Sequence, residues 1–319
     1  MQGLVTVFGG SGFIGRATVR ALAKAGWRVR AAQRNPGRGY RLRMLGDVGQ
    51  IEVVQANLRD DASILRALEG AEVVINLVGL LYESGPQKFA LHGEAAGHLA
   101  QLAKSKGVKR FVQMSALGAD AESASAYARS KAAGEAAVKA VYPKASIVRP
   151  SVVFGPEDDF FNKLGEMAAI LPVVPLPAGG ETKFQPVFLN DVAAALAQLA
   201  GNDAGGTYEL AGPATFTFRE IAELVLRETG RRRALLPLPG PLSGPVATLG
   251  DILAFVGIKP PLTSDQLRLL ATDNVVSGQA PGLAALGVAA TPVEAIVDSY
   301  LYRYRHGGQY ADMEATSAA

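Results

Sequence analysis

Apolar, β-branched runs alternate with segments of helical period through the first half of the chain. Leu4–Phe8 is the first such run, and after a glycine cluster Ala17, Val19, Leu22 and Ala23 recur at helical spacing. Arg28–Gln33, Ile51–Gln55, 72–78, Arg110–Met114 and 145–148 read as further strands. Between them, 62–68, 89–106 and 127–142 read as helices. The stretch 88–106 places Leu91, Ala95, Leu99 and Leu102 along one side. Strands separated by helices predict an α/β fold: a doubly wound parallel sheet of Rossmann type, with ligands at the carboxyl ends of its strands.

The glycine cluster gives that pattern a chemistry. Gly9-Gly10-Ser11-Gly12-Phe13-Ile14-Gly15 stands between the first strand and the first helix, the context in which a dinucleotide fingerprint has meaning. Gly9 suits a tight turn, Gly12 admits a pyrophosphate close to the backbone, and Gly15 lets the helix pack closely. The helix start adds unpaired N–H groups and a positive dipole end. A carboxylate usually ends the second strand of an NAD site, but here the chain reads Gln33-Arg34-Asn35-Pro36. Arg34, assisted by Arg16, suits a 2′-phosphate, so the expected cofactor is NADP(H). Asn57 and Leu58, after the third strand, are candidates to meet adenine. Val78 and Gly79, after the fourth, are candidates to meet a ribose.

From Arg149 onward the texture changes to loops and short elements. A helix at 191–199 is expected to return to the sheet, Gly206–Leu210 to be a strand, and 218–229 a helix capped by Thr217. Residues 231–262 join Arg231-Arg232-Arg233 to a proline-rich apolar stretch, and 292–304 reads as a last helix. The expected organisation is a nucleotide-binding domain over 1–150 with sheet-completing returns near 183–212. A smaller, discontinuous C-terminal α/β lobe would span 151–310, followed by a flexible tail at 311–319.

Composition narrows the chemistry. The 319 residues include no cysteine, which excludes disulfides, thiolate catalysis and Cys-ligated metal. Three histidines, His92, His98 and His306, form no ligand-like spacing, so no metal is expected. A formal charge of +3 gives little reason to expect nucleic acid. No apolar run approaches the ~18 residues of a spanning helix, and with a strand beginning at residue 4 neither signal peptide nor transmembrane helix is expected.

Tyr127-Ala128-Arg129-Ser130-Lys131 sets a phenol and an ammonium one above the other on a helix. A neighbouring ammonium favours the phenolate, which would lower the phenol from its usual pKa of ~10. The order of Gly9, Gly12, Gly15, Asn76–Gly79, Ser115, Tyr127, Lys131 and Arg149-Pro150-Ser151 resembles the extended and atypical short-chain dehydrogenase/reductase superfamily. That resemblance implies Tyr127 as acid/base, Lys131 as its helper and Ser115 as a substrate-polarising hydroxyl. It also implies that Ser115, Tyr127, Lys131 and Pro150 line the cofactor. Extended members typically pair two hydroxyl residues after the fifth strand, the second being catalytic; here Ser115 is followed by Ala116.

A narrower resemblance runs from Tyr142-Pro143 through Arg149-Pro150-Ser151-Val152-Val153-Phe154-Gly155-Pro156-Glu157-Asp158-Asp159-Phe160-Phe161-Asn162. It continues at 184–193, 206–213, 262–267 and 273–276. These segments are similar to the Rossmann-type accessory subunits of respiratory complex I. The resemblance implies NADP(H) as a structural or regulatory cofactor with little or no turnover. It implies partners among peripheral-arm subunits near the quinone site, and a peripheral place on the cytoplasmic side of a bacterial inner membrane. Residues 231–262 are a candidate membrane-surface contact. The alternative is a free-standing NADP(H)-dependent oxidoreductase or epimerase acting on a small carbonyl or hydroxyl substrate.

Overall fold

Strands that each return through a helix pair in parallel, because every crossover carries the chain back to the same end of the sheet. The computed structural model describes residues 2–79, 93–203, 205–238, 269–270 and 272–310. The chain begins with β1 (Leu4–Phe8), α1 (Phe13–Lys24), β2 (Arg28–Gln33), a 3-10 segment (Pro36–Leu45), β3 (Ile51–Gln55), α2 (Asp61–Leu68) and β4 (Val73–Asn76). It continues with α3 (Glu94–Ser105), β5 (Arg110–Met114), α4 (Ala126–Val141), β6 (Ser146–Pro150), β7 (Val153–Phe154) and α5 (Phe160–Ile170). Next come β8 (Val173–Pro177), β9 (Lys183–Phe184), β10 (Val187–Phe188), α6 (Leu189–Gly201) and β11 (Gly206–Leu210). The described elements end with β12 (Phe216–Thr217), α7 (Phe218–Glu228), β13 (Ala234–Leu238) and a helix at Glu294–Leu301.

The chain divides into two units. The first takes its residues from 1–150, 189–210 and 276–289, and the second takes the rest. In the first, seven parallel strands lie in the order β11-β6-β5-β4-β1-β2-β3. Every residue of β1 and β4 is buried, which explains why they read as continuous apolar runs and not as alternation. Helices α2, α3 and α4 cover Phe8, Val74, Phe111 and Ile147 on one face. Ala31 points to the other face beside Val19 of α1, and α1 packs against α6.

One expectation about a helix is revised. On α3 the buried positions are Ala96, Gly97, Leu99, Ala100 and Ala103, so the core face centres on small residues, with Ala95 half-buried and Leu102 packed at its margin. The reason is a close helix approach: a Cβ on Gly97 would stand 2.8 Å from the Cβ of Ala137 on α4. Small residues carry this contact, and a reading weighted by large apolar residues looks past them. Leu91 and the start of the expected helix, 88–92, lie outside the described residues.

The second unit is built on phenylalanine. Phe154, Phe160, Phe161, Phe184, Phe188 and Phe218 meet in tilted and edge-on pairs with ring centroids between 5.4 and 6.1 Å apart. Thr217 caps α7 as expected, in a reciprocal box: its hydroxyl accepts from the Glu220 amide at 3.2 Å, and the Glu220 carboxylate accepts from the Thr217 amide at 2.7 Å. Asn274 joins distant segments, its side-chain carbonyl accepting from Ser151 Oγ at 2.7 Å and the Val152 amide at 3.1 Å.

Asp158 is buried before α5 and accepts from the amides of Gly155, Phe161 and Asn162 and from the Tyr300 hydroxyl, the last at 2.7 Å. Tyr304 donates to the Asn162 side chain at 3.0 Å. Arg303 and Arg305 donate to main-chain carbonyls, Arg305 to Glu228 at 2.8 Å. Of the arginine triplet, Arg231 bonds the Tyr304 carbonyl and Arg233 the Ala168 carbonyl, while Arg232 is exposed. Residues 239–262, with the apolar part of that stretch, and the tail 311–319 lie outside the described residues.

Asp158→Ala strands three buried amides and a phenol, and should lower the unfolding free energy by about 3 kcal/mol or more. Tyr300→Phe removes one bond of the set and should cost about 1 kcal/mol. Urea melts of both variants check the ranking.

Candidate functional site

The site begins where β1 runs out. Gly9 takes φ +84°, a left-handed conformation open to glycine, and its amide bonds the Ala32 carbonyl at 3.0 Å. The Gly12 amide returns to the Gly9 carbonyl at 3.0 Å, closing the turn. A Cβ on Gly15 would fall 2.2 Å from that carbonyl oxygen, so the first turn of α1 rests directly on the loop backbone. Gly12 is exposed, and a Cβ there would meet only the Gly9 carbonyl, at 3.3 Å. No side chain caps α1 and no acidic residue stands in its first turn. Arg16 folds back to donate to the Ser11 carbonyl at 3.0 Å, holding a positive charge against the turn.

Neighbouring strand ends gather here. A Cβ on Gly9 would stand 3.2 Å from the carbonyl carbon of Leu77, which brings the end of β4 against the turn. Buried amides fix that end: the Asn76 side chain donates to Gln113 at 2.9 Å, and the Val78 amide donates to the Asn76 side-chain oxygen at 3.2 Å. Val78 is half-buried and Gly79 exposed. Asn57 spends its side-chain carbonyl on the Arg59 amide at 3.2 Å, and Leu58 is half-buried against the core. Arg34 is exposed immediately after β2.

Gln33 is a residue the sequence reading passed over. It ends β2 with 6% of its surface exposed, and its amide nitrogen donates to the Pro36 carbonyl at 3.3 Å. Its side-chain oxygen is buried with no hydrogen-bond partner. A Cβ on Gly39 would land 1.7 Å from the Gln33 amide nitrogen, so the chain closes tightly over this side chain. A buried acceptor without a donor is costly and points to a ligand or water that completes it. Its sequence signal was position, the last residue of the second strand.

The remaining residues meet around a carboxylate that the sequence reading also missed. Ser115 is buried at the end of β5 and donates to Glu135 at 2.5 Å. Arg149 on β6 grips the same carboxylate with two bonds, at 2.8 and 2.7 Å. Pro150 is buried at the end of that strand, its carbonyl accepting from the Leu117 amide. Tyr127, Lys131 and Glu135 follow at intervals of four on α4, and that spacing was the available signal. Lys131 is buried with its nitrogen 5.5 Å from the centroid of the Tyr127 ring.

Burial dominates the titration of this pair. It pushes the Tyr127 phenol up to about 12. It pushes the Lys131 ammonium down to about 8, against an opposing pull from Glu135. The expected lowering of the phenol is therefore reversed: desolvation disfavours both charged forms more than the two groups favour each other. Ser115 is also not poised as a donor to a substrate, because its proton is committed to Glu135.

The arrangement fits a dinucleotide. An exposed Gly12 with little around it, an uncapped helix start, and an orphaned acceptor at the β2 end are what such a ligand completes. The NmrA-like family description matches residues 1–241. This chain belongs to the NmrA-like family. Similar proteins include the mitochondrial NADH dehydrogenase (ubiquinone) 1 alpha subcomplex subunit 9 of Arabidopsis thaliana, 37% identical over 97% of this chain and 80% of that one. They also include ceramide reductase of Caulobacter vibrioides, 34% identical over 75% of each chain. Among solved structures, the Citrobacter triphenylmethane reductase complexed with NADP(H) superposes with a TM-score of 0.72 at 19% identity, over 93% of this chain and 99% of that one. That likeness is one of fold, the Rossmann-type sheet of the extended dehydrogenases.

Ligand-free stability should carry the imprint of Lys131. Between pH 8 and 10 the unfolded lysine keeps its proton while the folded one sheds it, so stability rises with pH, by up to about 1.4 kcal/mol per pH unit. Tyr127 acts in the opposite sense above about pH 10, where the unfolded phenol ionises first. Denaturant melts of wild type and Lys131→Met across that range check this; the rise should be missing in the variant.

Proposed function

We propose that this chain is a nucleotide-binding accessory subunit of respiratory complex I, holding NADP(H) as a structural or regulatory cofactor with little or no turnover. The observation that carries the reading is the Ser115–Glu135 bond beside Ala116. It leaves the end of β5 without a free hydroxyl to polarise a carbonyl, a kind of donor commonly worth ~3 kcal/mol of transition-state stabilisation. Similarity to the Arabidopsis subunit over nearly the whole chain supports the same reading.

Gly9, Gly10, Ser11, Gly12, Phe13, Ile14 and Gly15 would hold the pyrophosphate through backbone N–H groups and the start of α1. Arg34 and Arg16 would meet the 2′-phosphate, and Gln33 would accept from a ribose hydroxyl. Asn57 and Leu58 would flank adenine, while Val78, Gly79, Ser115, Tyr127, Lys131 and Pro150 would border the nicotinamide half. When bound, the cofactor supplies a hydride donor or acceptor. The chain's own part is to bind it, and to keep Tyr127 protonated at neutral pH.

The partners are peripheral-arm subunits near the quinone site, on the cytoplasmic side of a bacterial inner membrane. Among the described residues, no helix is long and apolar enough to cross a membrane. In the second unit, exposed Ile170, Leu171, Val173 and Leu236 lie on or beside the paired strands β8 and β13, close in sequence to exposed Arg232, and this mixture suits a peripheral contact. A second reading, a free-standing reductase or epimerase, is favoured by the retained Tyr127 and Lys131 and by the likeness to ceramide reductase.

Gentle extraction of the tagged protein from host membranes tests the choice. Complex I core subunits and near-stoichiometric NADP(H) should copurify. A lone protein with exchangeable nucleotide and a reductase activity lost in Tyr127→Phe would replace this reading with the second. Arg34→Ala should weaken NADP(H) at least tenfold more than NAD(H) by calorimetry; equal losses would remove Arg34 from the 2′-phosphate.

A further inference from the structure

Three large apolar side chains stand exposed within the connection from β2 to β3: Tyr40, Met44 and Val48, at 56%, 77% and 107% of full exposure. The backbone beneath them is pinned. Asn35 accepts from the Gly37 amide at 3.0 Å to start the 3-10 segment, and Leu42 is buried. Gln50 accepts from the Asp47 amide at 2.9 Å and donates to the Ala23 and Trp27 carbonyls at 2.7 and 3.1 Å. Val48 is thus fixed at the tip of a closed turn, a place usually given to Asn, Asp, Gly or Ser.

The surroundings are basic and specific in kind. Arg41 and Arg43 are exposed, and the Arg43 guanidinium lies 5.2 Å from the centroid of the Tyr40 ring. Residues 34–50 contain four arginines, one aspartate, no lysine and no glutamate. Tyrosine, methionine and arginine are enriched in protein interfaces while lysine and glutamate are depleted. A guanidinium fork also pairs a carboxylate through two bonds, which an ammonium cannot do.

We infer that the face presented by Tyr40, Arg41, Arg43, Met44 and Val48 docks an acidic protein surface, with an apolar socket for Met44 and Val48 between carboxylates that meet the arginines. The inference rests on the accessory-subunit reading only for the assembly in which the partner is found. None of these side chains belongs to the nucleotide set.

The test places p-benzoylphenylalanine at position 48 of the tagged full-length chain in host membranes, followed by irradiation and peptide mass spectrometry. One crosslinked peptide rich in Asp and Glu, from a copurifying protein, is expected. Its yield should fall at least tenfold in the Arg41→Gln/Arg43→Gln background. Adducts on lipid or on a second copy of this chain, no adduct, or a yield indifferent to the arginines would each overturn the assignment. Val48→Asp, with melting temperature and nucleotide affinity unchanged, should reduce recovery of the complex I core subunits at least tenfold. Full recovery would overturn this surface and leave the accessory-subunit reading standing. Failure of the wild type to recover those subunits would overturn that reading instead, and the crosslink would still decide the surface.

Discussion

A buried carboxylate has to be paired, and Glu135 meets that constraint by drawing three elements together. Its two oxygens receive Ser115 from the end of β5 and Arg149 from β6. Glu135 itself projects from α4, so one charge fastens helix to sheet at the carboxyl ends of the strands. The network continues sideways, because Glu209 on β11 sits opposite Arg149 in the register and accepts from the Ser277 amide at 2.6 Å. Removing one partner of such a set leaves an uncompensated charge in a poorly solvated place.

That pairing also sets the chemistry next to it. Lys131 feels Glu135 yet remains depressed, because burial outweighs the attraction. Tyr127 stays protonated far above neutrality. The Ser115 hydroxyl, which resemblance marked as a substrate-polarising group, is spent on holding the fold. The glycine turn is organised differently, by backbone alone: a carbonyl pressed against Gly15, an exposed Gly12 and an uncapped helix start. The glycine turn is prepared for phosphates, while the Ser115 hydroxyl beside it is committed to Glu135. Bound nucleotide would then stabilise the fold in proportion to its occupancy.

The second unit follows another logic. Its core gathers six phenylalanines in tilted and edge-on contacts among aliphatic side chains, and the buried carboxylate among its elements, Asp158, serves amides and a tyrosine of the same unit. The arginines near the end of the described chain serve main-chain carbonyls. Their charges finish the ends of helices, at Glu228 of α7 and at Tyr300.

Much of this was legible in the chain. Period and composition suffice for β1 through β6, because a strand buried on both faces must be a continuous apolar run and a helix must repeat at 3.6. The roles of Gly9 and Gly15 in the turn and the Thr217 cap follow from local sterics and local hydrogen bonds, which sequence carries in full. What period cannot carry is partnership between distant residues. The core face of α3 depends on Ala137 approaching Gly97. The orphaned oxygen of Gln33 depends on Gly39 closing over it. The commitment of Ser115 depends on Glu135, twenty residues further on. Each is settled by which side chains the tertiary structure places within a few ångströms. At that range burial and pairing, and not residue type, decide what a polar group can do.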